Sequence, residues 1–255
     1  MTDSNISIFR LLHQHTQPLL LNNVWDAASA AIVQSNGAKA IATSSASMAW
    51  SLGYADGFQL PVNELLSAIK RIQRVINLPL TVDIENGYSD DKNLVAELGY
   101  QLVEAGVVGI NIEDGASSPM LLADKIHSIK AKVGNHLFIN ARTDVYLQNL
   151  VADEVKLSTV IERLTLYANA GGNSGFIPGL TDTADVQTLL AELTMPINLM
   201  INGNINEIEL FSKMGVSRLS LGPKPFIEAY STLKPFGTLS NQAKTLEYSS
   251  INSLF

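Results

Sequence analysis

The sequence predicts an α/β fold, a single-domain (β/α)8 barrel of the TIM type, and three observations carry that expectation. Eight short apolar runs rich in Val, Ile and Leu recur at residues 19–24, 38–44, 78–85, 107–113, 137–142, 175–178, 197–202 and 217–222. Segments of helical spacing separate them, so each strand-and-helix unit takes about 25 to 35 residues. The chain has 255 residues, a routine size for one barrel and enough to bury about three quarters of its unfolded surface. An open doubly wound sheet is the structural alternative.

Strands buried on both faces need nearly continuous apolar runs, and the first two, residues 19–24 and 38–44, have that character. A helix follows through Leu65, Leu66, Ile69, Ile72, Val75 and Ile76, with Pro61 at its first turn and Glu64 behind it. After strand 78–85 comes Leu94, Leu98, Leu102 and Val103, a helical stripe ending before Gly106. Strand 107–113 leads through a short loop to a helix expected to open near residues 123–125. Strand 137–142 is followed by Val155, Val160, Ile161, Leu164 and Tyr167, which run toward Gly171. Strand 175–178 is the least marked, being short and preceded by Gly171-Gly172; helices over 184–193 and 205–214 flank strand 197–202. Strand 217–222 and a helix over about 224–233 complete a barrel of residues 18–234, with a polar, poorly periodic tail at 235–255.

Composition narrows the function. There is no Cys, which excludes disulfides and any cysteine nucleophile. Lys and Arg number 17 against 24 Asp and Glu, a formal charge of −7, so the basic footprint that nucleic acid or an anionic membrane needs is missing. No apolar stretch reaches the roughly 20 residues of a membrane span, and the first ten residues lack a basic segment followed by an apolar run. A cytoplasmic protein is expected.

A barrel builds its active site where the strands end. In Thr81-Val82-Asp83-Ile84-Glu85 the period of two puts Asp83 and Glu85 on one face, toward the mouth. Asn111 and Glu113 share a face at the next strand end, and Arg142 points inward at the one after. Three acids from two adjacent strands repel one another in a partly dry pocket unless a cation or protons neutralise them. An oxygen-rich set without Cys, with His13, His15, His127 and His136 all away from the strand ends, selects a hard ion: Mg2+, with Mn2+ as the alternative. The competing account has each acid capping a helix or pairing with Arg142. Between Ala42 and Ser47 lie small hydroxyl residues, either an anion cradle beside the metal or an ordinary serine turn. Gly171-Gly172-Asn173-Ser174-Gly175 lacks the Lys-Ser/Thr ending of a phosphate loop and reads as a turn.

These residues resemble the isocitrate lyase/phosphoenolpyruvate mutase superfamily. The resemblance runs from about Pro18 to Tyr230 through Asn22-Asn23-Val24-Trp25-Asp26-Ala27-Ala28-Ser29-Ala30, Thr43-Ser44-Ser45-Ala46, Leu52-Gly53-Tyr54-Ala55-Asp56-Gly57, Val82-Asp83-Ile84-Glu85-Asn86-Gly87-Tyr88, Gly109-Ile110-Asn111-Ile112-Glu113-Asp114 and Asn140-Ala141-Arg142-Thr143-Asp144. It implies that Asp83 ligates Mg2+ directly while Glu85 and Glu113 hold metal-bound waters. It further implies that Ser44 and Ser45 bind the oxygens of a small α-oxo carboxylate, that Arg142 reaches a substrate oxygen, and that Asp56 lies near the reacting centre. Trp25 is a further substrate-shielding candidate, with packing beneath the loops as its alternative. The resemblance also implies a homotetramer or homodimer in which the helix over 224–233 packs on a neighbour.

The chain also departs from that pattern. Isocitrate and methylisocitrate lyases carry a Lys-Lys-Cys-Gly-His-type loop whose Cys handles protons; this chain has no Cys. Phosphoryl-handling members carry a longer loop with Lys and Asn after the Glu-Asp pair, whereas residues 115–122 here contain neither. Where those members place a His after the sixth strand, this chain has Pro178. The expected activity is therefore Mg2+-dependent C–C cleavage or decarboxylation of a small α-oxo or 2-hydroxy carboxylate through an enolate. The alternatives are phosphonopyruvate hydrolysis or phosphoenolpyruvate mutation, and non-catalytic α-oxo acid binding.

Overall fold

The computed structural model describes residues 2–14, 16–233 and 246–255. Its parallel strands are β1 (Leu19–Leu21), β2 (Asn23–Val24), β3 (Ile41–Thr43), β4 (Leu80–Asp83), β5 (Gly109–Glu113), β6 (Phe138–Arg142), β7 (Ser174–Ile177), β8 (Ile197–Met200) and β9 (Arg218–Ser220). They pair in the order β1-β9-β8-β7-β6-β5-β4-β3-β2. β1 and β2 are halves of the predicted first strand: Leu19 to Leu21 pair with Arg218 to Ser220, and Asn23 and Val24 with Ala42 and Thr43. The divided strand thus joins both ends of the sheet and closes the eightfold barrel. Asn23 stitches this seam, its Nδ2 donating to the Thr43 carbonyl at 2.8 Å while its Oδ1 accepts from the N–H groups of Leu221 and Gly222 at 3.1 and 2.9 Å.

The surrounding helices are α1 (Thr2–Leu12), α2 (Ala27–Ser35), α3 (Ser45–Ser51), α4 (Val62–Gln73), α5 (Lys92–Glu104), α6 (Pro119–Val133), α7 (Asp153–Asn169), α8 (Thr183–Glu192), α9 (Ile205–Met214), α10 (Lys224–Tyr230) and α11 (Tyr248–Asn252). Among the described residues none is long and apolar enough to cross a membrane. The layer between sheet and helices is aliphatic, with Ile69, Ile72, Ile110, Ile112, Ile126 and Leu164 fully buried. α6 opens at Pro119, earlier than expected, because proline is preorganised for a first helical turn. The loop between β5 and α6 is accordingly shorter still.

Three helices stand outside the expected alternation: α3, which follows β3 ahead of α4 where a cradle or a serine turn was expected, and α1 and α11 at the two ends. α1 plugs the N-terminal end of the barrel, burying Ile6 and Phe9 against Leu19, Leu21, Val108 and Phe138. The Phe9 ring approaches so closely that a Cβ on Gly109 would lie 2.8 Å from it and 2.9 Å from Thr81 Oγ1, which is why β5 begins with glycine. α11 belongs to the expected tail. The start of that tail, residues 235–245, falls outside the described residues, but residues 246–255 return to the mouth of the barrel and bury Ile251 against Trp50 and Phe226.

Candidate active site

A cavity of about 580 Å³ opens at the C-terminal ends of the strands and is lined by Ser44, Ser45, Asp56, Asp83, Glu85, Glu113 and Arg142, seven of the eight residues singled out by sequence. The eighth, Trp25, is not part of this lining. Its ring packs edge-on against Phe226, 5.1 Å between centroids, and against Tyr230 at 6.2 Å, so it supports α10 from beneath the loops. Within the chain, α10 is engaged through Phe226 and Tyr230, whose rings stack with 4.1 Å between centroids.

Asp83 ends β4, with its backbone N–H donating to Thr43 Oγ1 at 3.0 Å and its Oδ1 accepting from the Glu85 N–H at 3.1 Å. Glu85 reaches the cavity by a route other than the strand pleat. Its φ of 50° puts a non-glycine residue in the left-handed region, a conformation that costs about 1–3 kcal/mol and concentrates at functional sites. Hydrogen bonds on three sides hold it there: the Asp83 carboxylate on its N–H, the Glu113 N–H on its carbonyl at 2.9 Å, and the Phe58 N–H on its Oε2 at 2.5 Å. Glu113 ends β5, directly across from Arg142 in the register of β5 and β6.

Arg142 Nη1 lies 2.7 Å from Glu113 Oε2, and its Nε and Nη2 grip the two oxygens of Asp144 at 2.6 and 3.0 Å. Asp144 is fully buried and also accepts from Gln148 Nε2 at 2.7 Å. Asp114 forms a second buried tier, accepting from Tyr167 Oη at 2.6 Å, Arg163 Nη1 at 2.9 Å and the Asp144 N–H at 3.0 Å. The structure therefore adds Asp144 as the clamp on Arg142. The sequence motif contained it, but its partner emerges only when residues 142 and 144 both turn inward.

The electrostatics follow from burial. Desolvation pushes the carboxyls of Asp83, Glu85 and Glu113 upward, Glu85 to about 7 and Glu113 to about 8, against the pull of Arg142 on Asp83 and Glu113 and of the Phe58 N–H on Glu85. Burial pulls the Arg142 guanidinium down, but Glu113 and Asp144 outweigh it and hold the charge in place. Among the described residues no three acids or imidazoles are arranged to cage an ion directly. Mg2+ keeps several waters and takes one or two carboxylates, so it does not require such a cage. The donors are all oxygens and the buried acids need a neutralising charge, so the residues present fit such an ion.

Ser44 is less free than the cradle reading requires. Its N–H donates to the Val24 carbonyl at 3.3 Å, and its hydroxyl caps α3 by accepting from the Ser47 N–H at 3.4 Å and Ser47 Oγ at 3.2 Å. Ser45, the first residue of α3, has a backbone N–H without an intrahelical acceptor. The rim residue that sequence reasoning missed is Tyr248, whose Oη donates to Asp56 Oδ2 at 2.6 Å. Pro178 also stands in the wall, at the end of β7.

Comparison with known proteins agrees with this architecture. The family described as phosphoenolpyruvate phosphomutase matches residues 9–236. An uncharacterised protein of Mycobacterium tuberculosis is 32% identical over 225 residues, covering 86% of this chain and 83% of its own. An oxaloacetate decarboxylase of Pseudomonas fluorescens is 26% identical over 206 residues, covering 73% and 68%. Among solved structures, a provisionally assigned phosphonomutase of Burkholderia cenocepacia superposes with a TM-score of 0.83 at 37% identity, covering 90% of this chain and 97% of its own. A phosphonopyruvate hydrolase complexed with oxalate and Mg2+ shares the fold, with a TM-score of 0.79 at 16% identity over 89% and 83% of the two chains. With a barrel of this topology, acids at two neighbouring strand ends and a family match spanning most of its length, the chain belongs to the phosphoenolpyruvate phosphomutase family.

Proposed function

We propose that this chain is a Mg2+-dependent lyase that cleaves or decarboxylates a small α-oxo or 2-hydroxy carboxylate, with oxaloacetate as the first substrate to test. One observation carries the reading: buried Asp83, Glu85 and Glu113 face the same cavity as the clamped Arg142, beside a β5–α6 loop that offers no Lys, His, Asn or acid between residues 115 and 118. The relative named oxaloacetate decarboxylase supports the substrate class, and the hydrolase holding oxalate and Mg2+ supports the ion.

In this reading Asp83 would hold Mg2+, with Glu85 and Glu113 beside it as the acids whose charge the ion would neutralise. The ion, when bound, supplies Lewis-acid polarisation of the substrate's carboxylate and carbonyl oxygens. Arg142, fixed by Asp144, presents N–H groups where negative charge develops on a substrate oxygen, and the Ser45 N–H donates to the carboxylate. Asp56 faces the carbon at which the bond breaks. The short loop brings no acid, so the proton that quenches an enolate comes from solvent, directly or by way of Asp56. Mn2+ is expected to substitute for Mg2+. A homotetramer or homodimer and a cytoplasmic setting belong to the same proposal.

A turnover screen with Mg2+ against oxaloacetate, a 2-methylmalate, methylisocitrate, phosphonopyruvate and phosphoenolpyruvate tests it. Oxaloacetate or malate-like turnover is expected. Turnover of phosphonopyruvate alone would make this a P–C bond enzyme, and binding without turnover would make it an oxo acid binding protein.

A further inference from the structure

Asp56 is tied down by residues from the far end of the chain. Its Oδ2 accepts from Tyr248 Oη at 2.6 Å, and its backbone N–H donates to Asn252 Oδ1 at 2.7 Å, across sequence separations of 192 and 196. Asn252 Oδ1 also accepts from Trp50 Nε1 at 2.8 Å, and the Tyr248 ring lies 5.2 Å from that of Trp50. Ile251 seals the underside against Trp50 and Phe226. Two residues beyond Asp56, the Phe58 N–H holds Glu85. The segment between Gly53 and Phe58, with positive φ at Gly53, Gly57 and Phe58, is thus fastened to α11 on one side and to the acid cluster on the other.

The second carboxylate oxygen of Asp56 makes no such tie. Oδ1 is buried and has no hydrogen-bond partner, and Asp56 lines the cavity. A carboxylate otherwise rotates about its χ angles, and a misplacement of about 1 Å at a reacting group can cost on the order of a hundredfold in rate. Holding Oδ2 and the backbone selects one rotamer of a carboxylate that lines the cavity. Tyr248 itself is a poor acid here, because burial and Asp56 raise its hydroxyl above the ordinary tyrosine range, so it keeps its proton while donating the hydrogen bond.

We propose that Tyr248 and Asn252 are positioning residues for Asp56, which makes the C-terminal helix a working part of the site. The inference rests on the reading of Asp56 as the residue facing a small oxo acid. It adds that a segment outside the barrel's alternating units aims that residue.

The test uses the full chain with Mg2+ and oxaloacetate, counting competent sites by calorimetric titration with Mg2+ and oxalate. Tyr248→Phe and Asn252→Leu are expected to lower kcat per competent site at least tenfold with KM changed less than threefold. Asn252→Asp, which keeps an acceptor oxygen, is expected to recover most of the loss. A merely destabilised variant loses competent sites but keeps kcat per site. Wild-type kcat per site in Tyr248→Phe and Asn252→Leu overturns the proposal. Hydrogen exchange of the Asp56 amide gives a readout independent of turnover: at least tenfold faster exchange in Asn252→Leu supports the tie, and unchanged exchange contradicts it even if no oxo acid reacts. Absence of turnover in the unmodified chain, with the amide protected, would instead strike the reading of the reaction.

Discussion

Asp144 holds Arg142 side-on through two hydrogen bonds, leaving Nη1 for Glu113 at the wall of the cavity. Lysine keeps the charge but cannot span two carboxylate oxygens in this plane. Arg142→Lys leaves the fully buried Asp144 short of a donor, and a hydrogen bond to a charged group is worth about 1.5–3 kcal/mol. Steady-state kinetics should show a loss of roughly 10- to 100-fold in kcat/KM with the fold intact by circular dichroism. Full activity in this variant means that the aim of the guanidinium is immaterial.

The acid pair makes metal-free stability depend on pH. Burial raises the folded-state carboxyls of Glu85 and Glu113 above an unfolded value near 4.5, to about 7 and about 8. Between those limits the folded state binds more protons than the unfolded state, so stability declines as pH rises through 4.5 to 8. A cation at the site offsets that decline. The rise in thermal midpoint on adding Mg2+ should be larger at pH 8 than at pH 6. An equal rise at both argues against Glu85 and Glu113 as its neighbours.

His13 gives the opposite dependence. Burial, followed by the charge of Arg218, lowers its imidazole to about 3, although its Nδ1 lies 2.8 Å from the Phe9 carbonyl. From pH 6.5 down to about 3 the unfolded chain takes up a proton that the folded chain refuses, so stability falls with falling pH by up to about 1.4 kcal/mol per unit. His13→Gln should flatten the acid limb of unfolding free energy against pH relative to the unmodified chain. Parallel curves would place the acid sensitivity elsewhere.

The loop between β5 and α6 bears on the phosphoenolpyruvate mutase alternative. With residues 115–118 reading Gly-Ala-Ser-Ser, it has no cation for a phosphoryl group and too little length to seal one from water. Water would intercept a metaphosphate-like species before it recombined. Phosphorus NMR should therefore detect negligible conversion between phosphonopyruvate and phosphoenolpyruvate. Conversion at enzymatic rates would assign the gating to residues outside this loop.

Much of this was legible because barrel strands are apolar on both faces and functional residues sit at their ends. Asn111, Glu113 and Arg142 lie where alternation puts them. Glu85 reaches the same wall, but through a left-handed turn after β4 has ended, which strand periodicity does not describe. α1 left a trace in the spacing of Ile6 and Phe9, yet its amphipathic pattern does not reveal that it stoppers the barrel floor. α11, of five residues, is too short for propensity to signal; tertiary contacts to Trp50, Asp56 and Phe226 hold it. Asp144 needed three dimensions for its role to appear, since its partner lies only two residues away on an inward turn.

In the proposed function, Asp83 anchors a divalent ion to which an α-oxo carboxylate binds. Calorimetric titration of oxalate into the chain with and without Mg2+, repeated for Asp83→Ala, is the decisive measurement. Oxalate binding is expected to require Mg2+ and to be abolished in Asp83→Ala while the variant remains folded. Equal oxalate affinity in Asp83→Ala, or affinity indifferent to Mg2+, would contradict it.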